Sequence, residues 1–201
     1  MSQLLRVATY NIHKGVQGFG PARRLEIHNL QLAVEQLDAD IVCLQEVRRL
    51  HRREANRFAR WPAQPQADFL APDGYHAVYR TNAVTRHGEH GNALLSRWPV
   101  VAHGHEDMSD HRFEQRGLLH VHVQFDGVPL HVIVVHLGLI AGSRRRQVQQ
   151  LGQFIAREVP ADEPLLVAGD FNDWGGKLRE PLLALGLRDC AVEPVRTYPS
   201  R

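Results

Sequence analysis

Four apolar, β-prone runs in this 201-residue chain each stop on polar side chains suited to phosphate or metal, and a fold that uses them must bring four strand ends together. Leu4 to Tyr10 stops at Asn11-Ile12-His13-Lys14-Gly15, and Ile41-Val42-Cys43-Leu44 stops at Gln45-Glu46. Leu130 to Val135 stops at His136, and Leu165 to Ala168 breaks at Gly169 before Asp170-Phe171-Asn172-Asp173. Short apolar stretches bounded by Gly, Pro and Asn read as buried strands. Side chains two positions apart on an extended segment point the same way, so Asp170 and Asn172 converge while Phe171 packs behind them. Singly, each end also has a structural reading. Asp170 and Asn172 make an Asx turn, Glu46 faces water, and His136 is a hydrogen-bonded core histidine. Together they favour a site.

Hard divalent cations such as Mg²⁺ select carboxylate, amide carbonyl and water oxygens. Glu46 is the first ligand candidate, with Asn11 as a neutral neighbour. Asp170 is placed to orient or deprotonate a water, and His136 to protonate a leaving group or bind a non-bridging oxygen. A metal and nearby cationic side chains would stabilise charge developing on phosphorus.

The rest of the chain frames these ends as an α/β (α+β) fold, with sheets packed between helices. Further strands are expected at His76 to Tyr79, Gly91 to Ser96 and Gly117 to Val123, with a hairpin turn at Asp126-Gly127. Apolar spacing predicts helices over Leu25 to Leu37, Arg144 to Glu158 and near Leu178 to Leu185. Residues 48 to 74 are polar, Arg-rich and Pro-bearing, and read as a long surface loop. Arg48, Arg49, Arg52, Arg53, Arg57 and Arg60 in that stretch either steer a polyanion or only solubilise it. Arg144-Arg145-Arg146 at a helix start suggests an anion contact or a surface ion pair.

A net charge of +2 argues against a bulk nucleic-acid coat while leaving room for basic patches. No apolar run reaches membrane-spanning length, and Cys43 and Cys190 read as two buried thiols of a cytoplasmic protein. His87-Gly88-Glu89-His90 lacks a helical zinc frame, so its histidines are expected to face solvent from a turn.

The ordered set Thr9-Tyr10-Asn11-Ile12-His13, Leu44-Gln45-Glu46-Val47, Gly91-Asn92-Ala93-Leu94-Leu95-Ser96-Arg97, Val135-His136-Leu137 and Ala168-Gly169-Asp170-Phe171-Asn172 resembles the endonuclease/exonuclease/phosphatase family, with wording most like its bacterial members. The resemblance implies a four-layer α/β/β/α sandwich of two mixed, mainly antiparallel sheets, here a single domain over 1–201. It implies that Glu46 and Asn11 hold Mg²⁺, with Mn²⁺ as the alternative ion. It further implies that His136 contacts the phosphate or leaving group, Asp170 orients the nucleophilic water and Asn172 steadies the phosphoryl oxygens. Asn92 and Arg116 fall where members build the site wall, and Arg116 offers a planar fork of donors or else makes a structural ion pair. His13 falls where other members often carry Asp or Asn, and is grouped with the phosphate contacts.

Family members end with a Ser-Asp-His motif on a late strand, preceded by another Asp, whereas this sequence stops at Thr197-Tyr198-Pro199-Ser200-Arg201. The expectation is therefore a domain incomplete at its C-terminus, either a fragment or a weakened enzyme, with metal binding partly retained. Ser109-Asp110-His111 lies too early in the order and reads as a coincidental loop triplet. The expected activity is Mg²⁺-dependent hydrolysis of a phosphodiester in a nucleic acid, a phospholipid headgroup or a small molecule. No obligate protein partner is implied. For a lipid substrate, Trp61-Pro62 and Phe69-Leu70 are the candidate membrane-touching segments. The alternative is a non-catalytic binding module that keeps the same sandwich.

Overall fold

The computed structural model describes residues 4–190 and Thr197. Two four-stranded sheets form the centre. The first takes β1 (Val7–Asn11), β4 (Ile41–Val47), β5 (His76–Thr85) and β6 (Gly88–Ser96) in the order β1-β4-β6-β5. The second takes β7 (Val100–Asp107), β8 (Gly117–Phe125), β9 (Val128–His136) and β10 (Leu165–Asp170) in the order β10-β9-β8-β7. In each sheet one outer pair is parallel, β1 with β4 and β10 with β9, and the remaining pairs are antiparallel. A small ribbon of β2 (Val16–Gln17) and β3 (Arg24–Leu25) leads into α1 (Ile27–Leu37).

The two-residue alternation of strands builds the layers. Ile41 and Cys43 of β4 join Leu119, Val121, Val132 and Val134 in the core between the sheets. Val42 and Leu44, one step out of phase, face Ile27, Leu30 and Val34 of α1. On the other sheet, Ile133 and Val135 turn outward against Val148, Leu151 and Phe154 of α4 (Ala141–Glu158). Both sheets are thus apolar on both faces, and each buried aliphatic side chain contributes about 1.5–3 kcal/mol. The α/β/β/α sandwich is the fold observed.

Several expectations change. The segment 48–74 is not one long loop: it carries α2 (Arg52–Arg57) and α3 (Gln66–Leu70). Ala67 and Leu70 join the core against α1, and Phe69 packs on it, so the Phe69-Leu70 pair is committed to the core rather than to a membrane. β7 was not expected, because an edge strand reading Val100-Val101-Ala102-His103-Gly104-His105-Glu106-Asp107 has little apolar pattern. Helix α1 starts at Ile27 rather than Leu25, because Leu25 pairs with Val16 in the ribbon. Helix α4 starts earlier, at Ala141, and the last helix, α5 (Arg179–Leu183), is shorter than expected. Cys43 is buried, as expected, but Cys190 is exposed. Among the described residues no helix is long and apolar enough to cross a membrane.

Candidate active site

Edge strands β1 and β10 lie over one another, and their C-terminal ends supply the centre of the site. Asn11 ends β1 and Asp170 ends β10. The Asn11 amide Nδ2 donates to Asp170 Oδ2 at 3.1 Å and to Glu46 Oε1 at 3.4 Å, while its Oδ1 accepts from the His13 N–H at 3.0 Å. One amide therefore ties three strand ends from two sheets.

Glu46 reaches this point through an irregularity. The register between β4 and β6 shifts between Leu44 and Val47, and Glu46 sits at φ 57°. Gln45 stays buried, bonded to the Cys43 carbonyl, while the bulge re-aims Glu46 at the site. Left-handed φ recurs here: among non-glycine residues, His13, Lys14, Glu46 and Asn172 all adopt it. Backbone in this sparsely populated region is thus gathered around the candidate site.

Charge is arranged around Glu46. Lys14 Nζ lies 2.8 Å from Glu46 Oε2. Burial acts to raise the Glu46 carboxyl, but the Lys14 charge and hydrogen bond, with His136 and His13 behind them, outweigh it and hold the group near 2. The acid is ionised at neutral pH, and Lys14 already seats a cation on it. A carboxylate flanked by further oxygen acceptors therefore fits a hard divalent ion. Asn11 presents nitrogen rather than oxygen to Glu46, so an Asn11 oxygen ligand needs its amide turned over.

Asp170 and His136 are register partners in the β9–β10 pair. His136 Nε2 stands 3.7 Å from Asp170 Oδ2. Burial, then the Arg116 charge, push the imidazole down to about 4 against the pull of Asp170 and Glu46, so it is neutral at pH 7. Asn172 is buried, with its N–H donating to Asp170 Oδ1 at 3.0 Å and its Nδ2 to the Leu137 carbonyl at 2.8 Å. It grips the turn that holds Asp170, and its side-chain nitrogen is already committed.

Two other expected residues stand apart from this cluster. Asn92 is fully buried, and its Nδ2 donates to the Gly117 and Val134 carbonyls, clamping one sheet to the other. Arg116 Nε donates to the Leu137 carbonyl at 3.2 Å, and Nη2 pairs with Glu114 Oε1 at 3.0 Å. Its charge still reaches His136 and His90. His13 is exposed at the mouth.

The structure adds residues that the sequence did not single out. His90, expected to face solvent, lies in β6 and is only partly exposed; burial, then Lys14, push it down to about 4. Arg48 is buried, with Nε and Nη1 lacking any partner, and burial lowers its guanidinium to about 10. A cavity of about 330 Å³ is lined by residues that include His90, Arg112, Phe113 and Arg116. A larger hollow of about 680 Å³ near Gly152, Ile155 and Leu185 lies among α4 and α5, away from these groups.

The decoys resolve as structure. Asp110 accepts from Ser143 Oγ and from the Arg146 guanidinium, and Ser109 Oγ brackets the Arg116 backbone. Both ring nitrogens of His111 are shielded, with Nε2 3.8 Å from Glu114. Arg144 caps the Gly138 and Leu139 carbonyls, so two of the three helix-start arginines are spent on protein contacts.

Comparison with known proteins agrees with this fold. The family model described as "Endonuclease/Exonuclease/phosphatase family" matches residues 8–190. The uncharacterized protein YbhP of Escherichia coli (strain K12) is 40% identical over 202 residues, covering 96% of this chain and 79% of that protein. Among solved structures, a family protein from Leptotrichia buccalis superposes with TM-score 0.69 at 16% identity, over 92% of this chain and 76% of its own. Sphingomyelinase C from Streptomyces griseocarneus superposes with TM-score 0.64 at 22% identity, over 92% and 70%. The mannosyl-6-phosphatase Bt3783 of Bacteroides thetaiotaomicron superposes with TM-score 0.62 at 19% identity, over 84% and 66%. With its sandwich, its strand-end cluster and a family match across nearly the whole described chain, this protein belongs to the endonuclease/exonuclease/phosphatase family.

Proposed function

We propose that the protein is a Mg²⁺-dependent phosphodiesterase whose centre is the Asn11–Glu46–Asp170–His136 cluster. The observation that carries this reading is the Asn11 amide, which holds two carboxylates from different sheets around one point. Glu46 would hold the ion, with Mn²⁺ as the alternative, and the ion would neutralise charge developing on the phosphoryl oxygens.

Asp170 works through Oδ2, the oxygen that faces Asn11 and His136, while Oδ1 accepts from the Asn172 N–H. It accepts a proton from the attacking water, and Asn11 fixes the direction it faces. His136, neutral and nearly enclosed, offers its Nε2–H to a phosphoryl oxygen. Asn172 is a positioning residue that holds Asp170. Arg48 supplies a cationic donor near the phosphate, while Arg116, bonded to Leu137 and Glu114, contributes its positive charge from beside His136.

The rim favours a substrate with an apolar or aromatic group beside its phosphate. Phe113, Leu139, Ile140 and Trp174 are exposed within a few residues of Arg116, His136 and Asn172. Leu139 N and Arg116 Nη2 share Glu114 Oε1, which joins two of those loops. Neighbours of the same fold include a sphingomyelinase and a mannosyl-6-phosphatase, so both lipid and sugar phosphoesters belong in the panel. The unpaired thiols suit a reducing, cytoplasmic setting.

The test is turnover of bis(p-nitrophenyl) phosphate with Mg²⁺ titrated from zero. Asp170→Ala and Glu46→Gln are each expected to lower kcat by about 10²–10⁴ with the fold intact by circular dichroism. Activity retained within a few-fold in Asp170→Ala overturns the catalytic role of Asp170, and none in the parent with any divalent ion favours a non-catalytic module.

A further inference from the structure

A second constellation of ligand side chains lies on the outer face of the second sheet. His120 and His122 alternate along β8 and so share a face, and His131 of β9 is the direct register partner of His122. One nitrogen from each of the three lies within 4.8 Å of the others. His131 and His136 sit on the same strand five positions apart, about 17 Å by strand rise and on opposite faces. The two groups are therefore separate.

The internal wiring of the trio has the form of a metal site. His131 Nε2 bonds Glu163 Oε2 at 2.5 Å, and His131 Nδ1 bonds His120 Nε2 at 2.8 Å. A carboxylate on one ring nitrogen fixes the tautomer and turns the other nitrogen's lone pair toward the ligand position. His120 Nε2–H then donates to that lone pair, and His120 can pass its proton to Nδ1 and offer Nε2 instead. Tetrahedral nitrogen ligands at 2.0–2.1 Å from an ion stand about 3.3 Å apart, so His120 and His131 need only a small separation. The rings of His122 and His131 have centroids 4.2 Å apart, and those of His120 and His122 4.5 Å. Phe154 walls the trio edge-on at 5.3 Å from His120.

Packing alone gives a poor account of three adjacent imidazoles. Burial, then the neighbouring imidazoles, lower His120 to about 4, and His122 is lowered for similar reasons. Each ring brings one nitrogen to the common point, the donor set that metal coordination needs. Imidazole is a poor match for Mg²⁺ and a good one for zinc, nickel, cobalt or copper.

We propose that His120, His122 and His131 form a transition-metal site of the zinc class, with Glu163 orienting His131. The fourth position is left to water. Since His131 N also bonds the Pro164 carbonyl, an ion there would clip β8 and β9 to the loop leading into β10, the strand that carries Asp170. The inference does not depend on the proposed phosphodiesterase activity.

The experiment is titration of the purified protein with Co²⁺ in the presence of excess Mg²⁺. One Co²⁺ per chain with the intense visible absorption of a tetrahedral site is expected in the parent protein and in Glu46→Gln. It is expected to disappear in His122→Ala, which is only partly buried, with circular dichroism confirming the fold. In the same proteins Zn²⁺ should raise the unfolding midpoint of the parent and leave that of His122→Ala unchanged. Absence of Co²⁺ uptake, an unchanged spectrum in His122→Ala, or loss of the spectrum in Glu46→Gln each overturns the proposal.

Discussion

Asn11 Nδ2 donates to Asp170 Oδ2 at 3.1 Å, across 159 positions of sequence and from one sheet to the other. The same nitrogen also serves Glu46, so the amide screens two carboxylates that would otherwise repel each other. Asn11→Asp converts that donor into a third negative group. Without divalent ions the variant is expected to lose about 1–3 kcal/mol of stability. Urea unfolding with and without Mg²⁺ checks this, and the loss should shrink when Mg²⁺ is added.

Acid should destabilise the fold earlier than ordinary carboxylate chemistry does. His90, His120 and His136 are held near 4 in the folded protein, against 6.5 as the ordinary value. Between those pH values the unfolded chain takes up protons that the folded chain refuses, so stability falls as pH drops from 6.5 toward 4. Glu46, held near 2 rather than 4.5, adds a further loss from 4.5 downward. Thermal melts from pH 7.5 to 4 should show a midpoint falling by several degrees before pH 4.5. A flat midpoint over that range counts against buried neutral histidines.

Arg48 is a buried cation whose Nε and Nη1 have no partner. The buried Glu54 on which its charge acts keeps Arg23 as its ion-pair partner, so Arg48→Met is expected to change unfolding free energy by less than about 1 kcal/mol. If its free donors serve the substrate phosphate, KM for a phosphodiester rises about tenfold or more while kcat changes less. A Michaelis curve on the purified variant checks both numbers together.

Gly169 has φ +148°, and a Cβ there would lie 1.9 Å from the Val135 carbonyl oxygen. The strand cannot step aside without breaking its pairing to β9, so Gly169→Ala is expected to cost about 3 kcal/mol or more. Denaturant unfolding measures it, and activity should fall with the folded fraction.

The strand ends were legible in the sequence because apolar runs with abrupt polar stops are a local signal. Asn11, Glu46, His136 and Asp170 meet as that signal and the family resemblance imply. Lys14, His90 and Arg48 were not legible as site residues, since their placement depends on a bulge in β4 and on the packing of α3 against α1. Gln66 shows why: its side chain accepts from Arg48 N and donates to the Lys14 carbonyl, contacts set only by tertiary structure. Asn92 matched a family position, yet its amide nitrogen is spent inside the sandwich while Oδ1 has no partner there. The histidine trio had a readable signal. The two-residue turn Asp126-Gly127 pairs Phe125 with Val128, and counting outward sets His122 opposite His131.

The left-handed backbone at Glu46 and Asn172 has a bearing on how this protein can be engineered. Glycine adopts both conformations without penalty, so a library screened for heat resistance alone will drift toward Gly at positions 46 and 172. The survivors would be sturdier proteins with the carboxylate gone from the bulge and the Leu137 tether gone from the turn beside Asp170. Heat resistance selected without an activity filter will remove the site first.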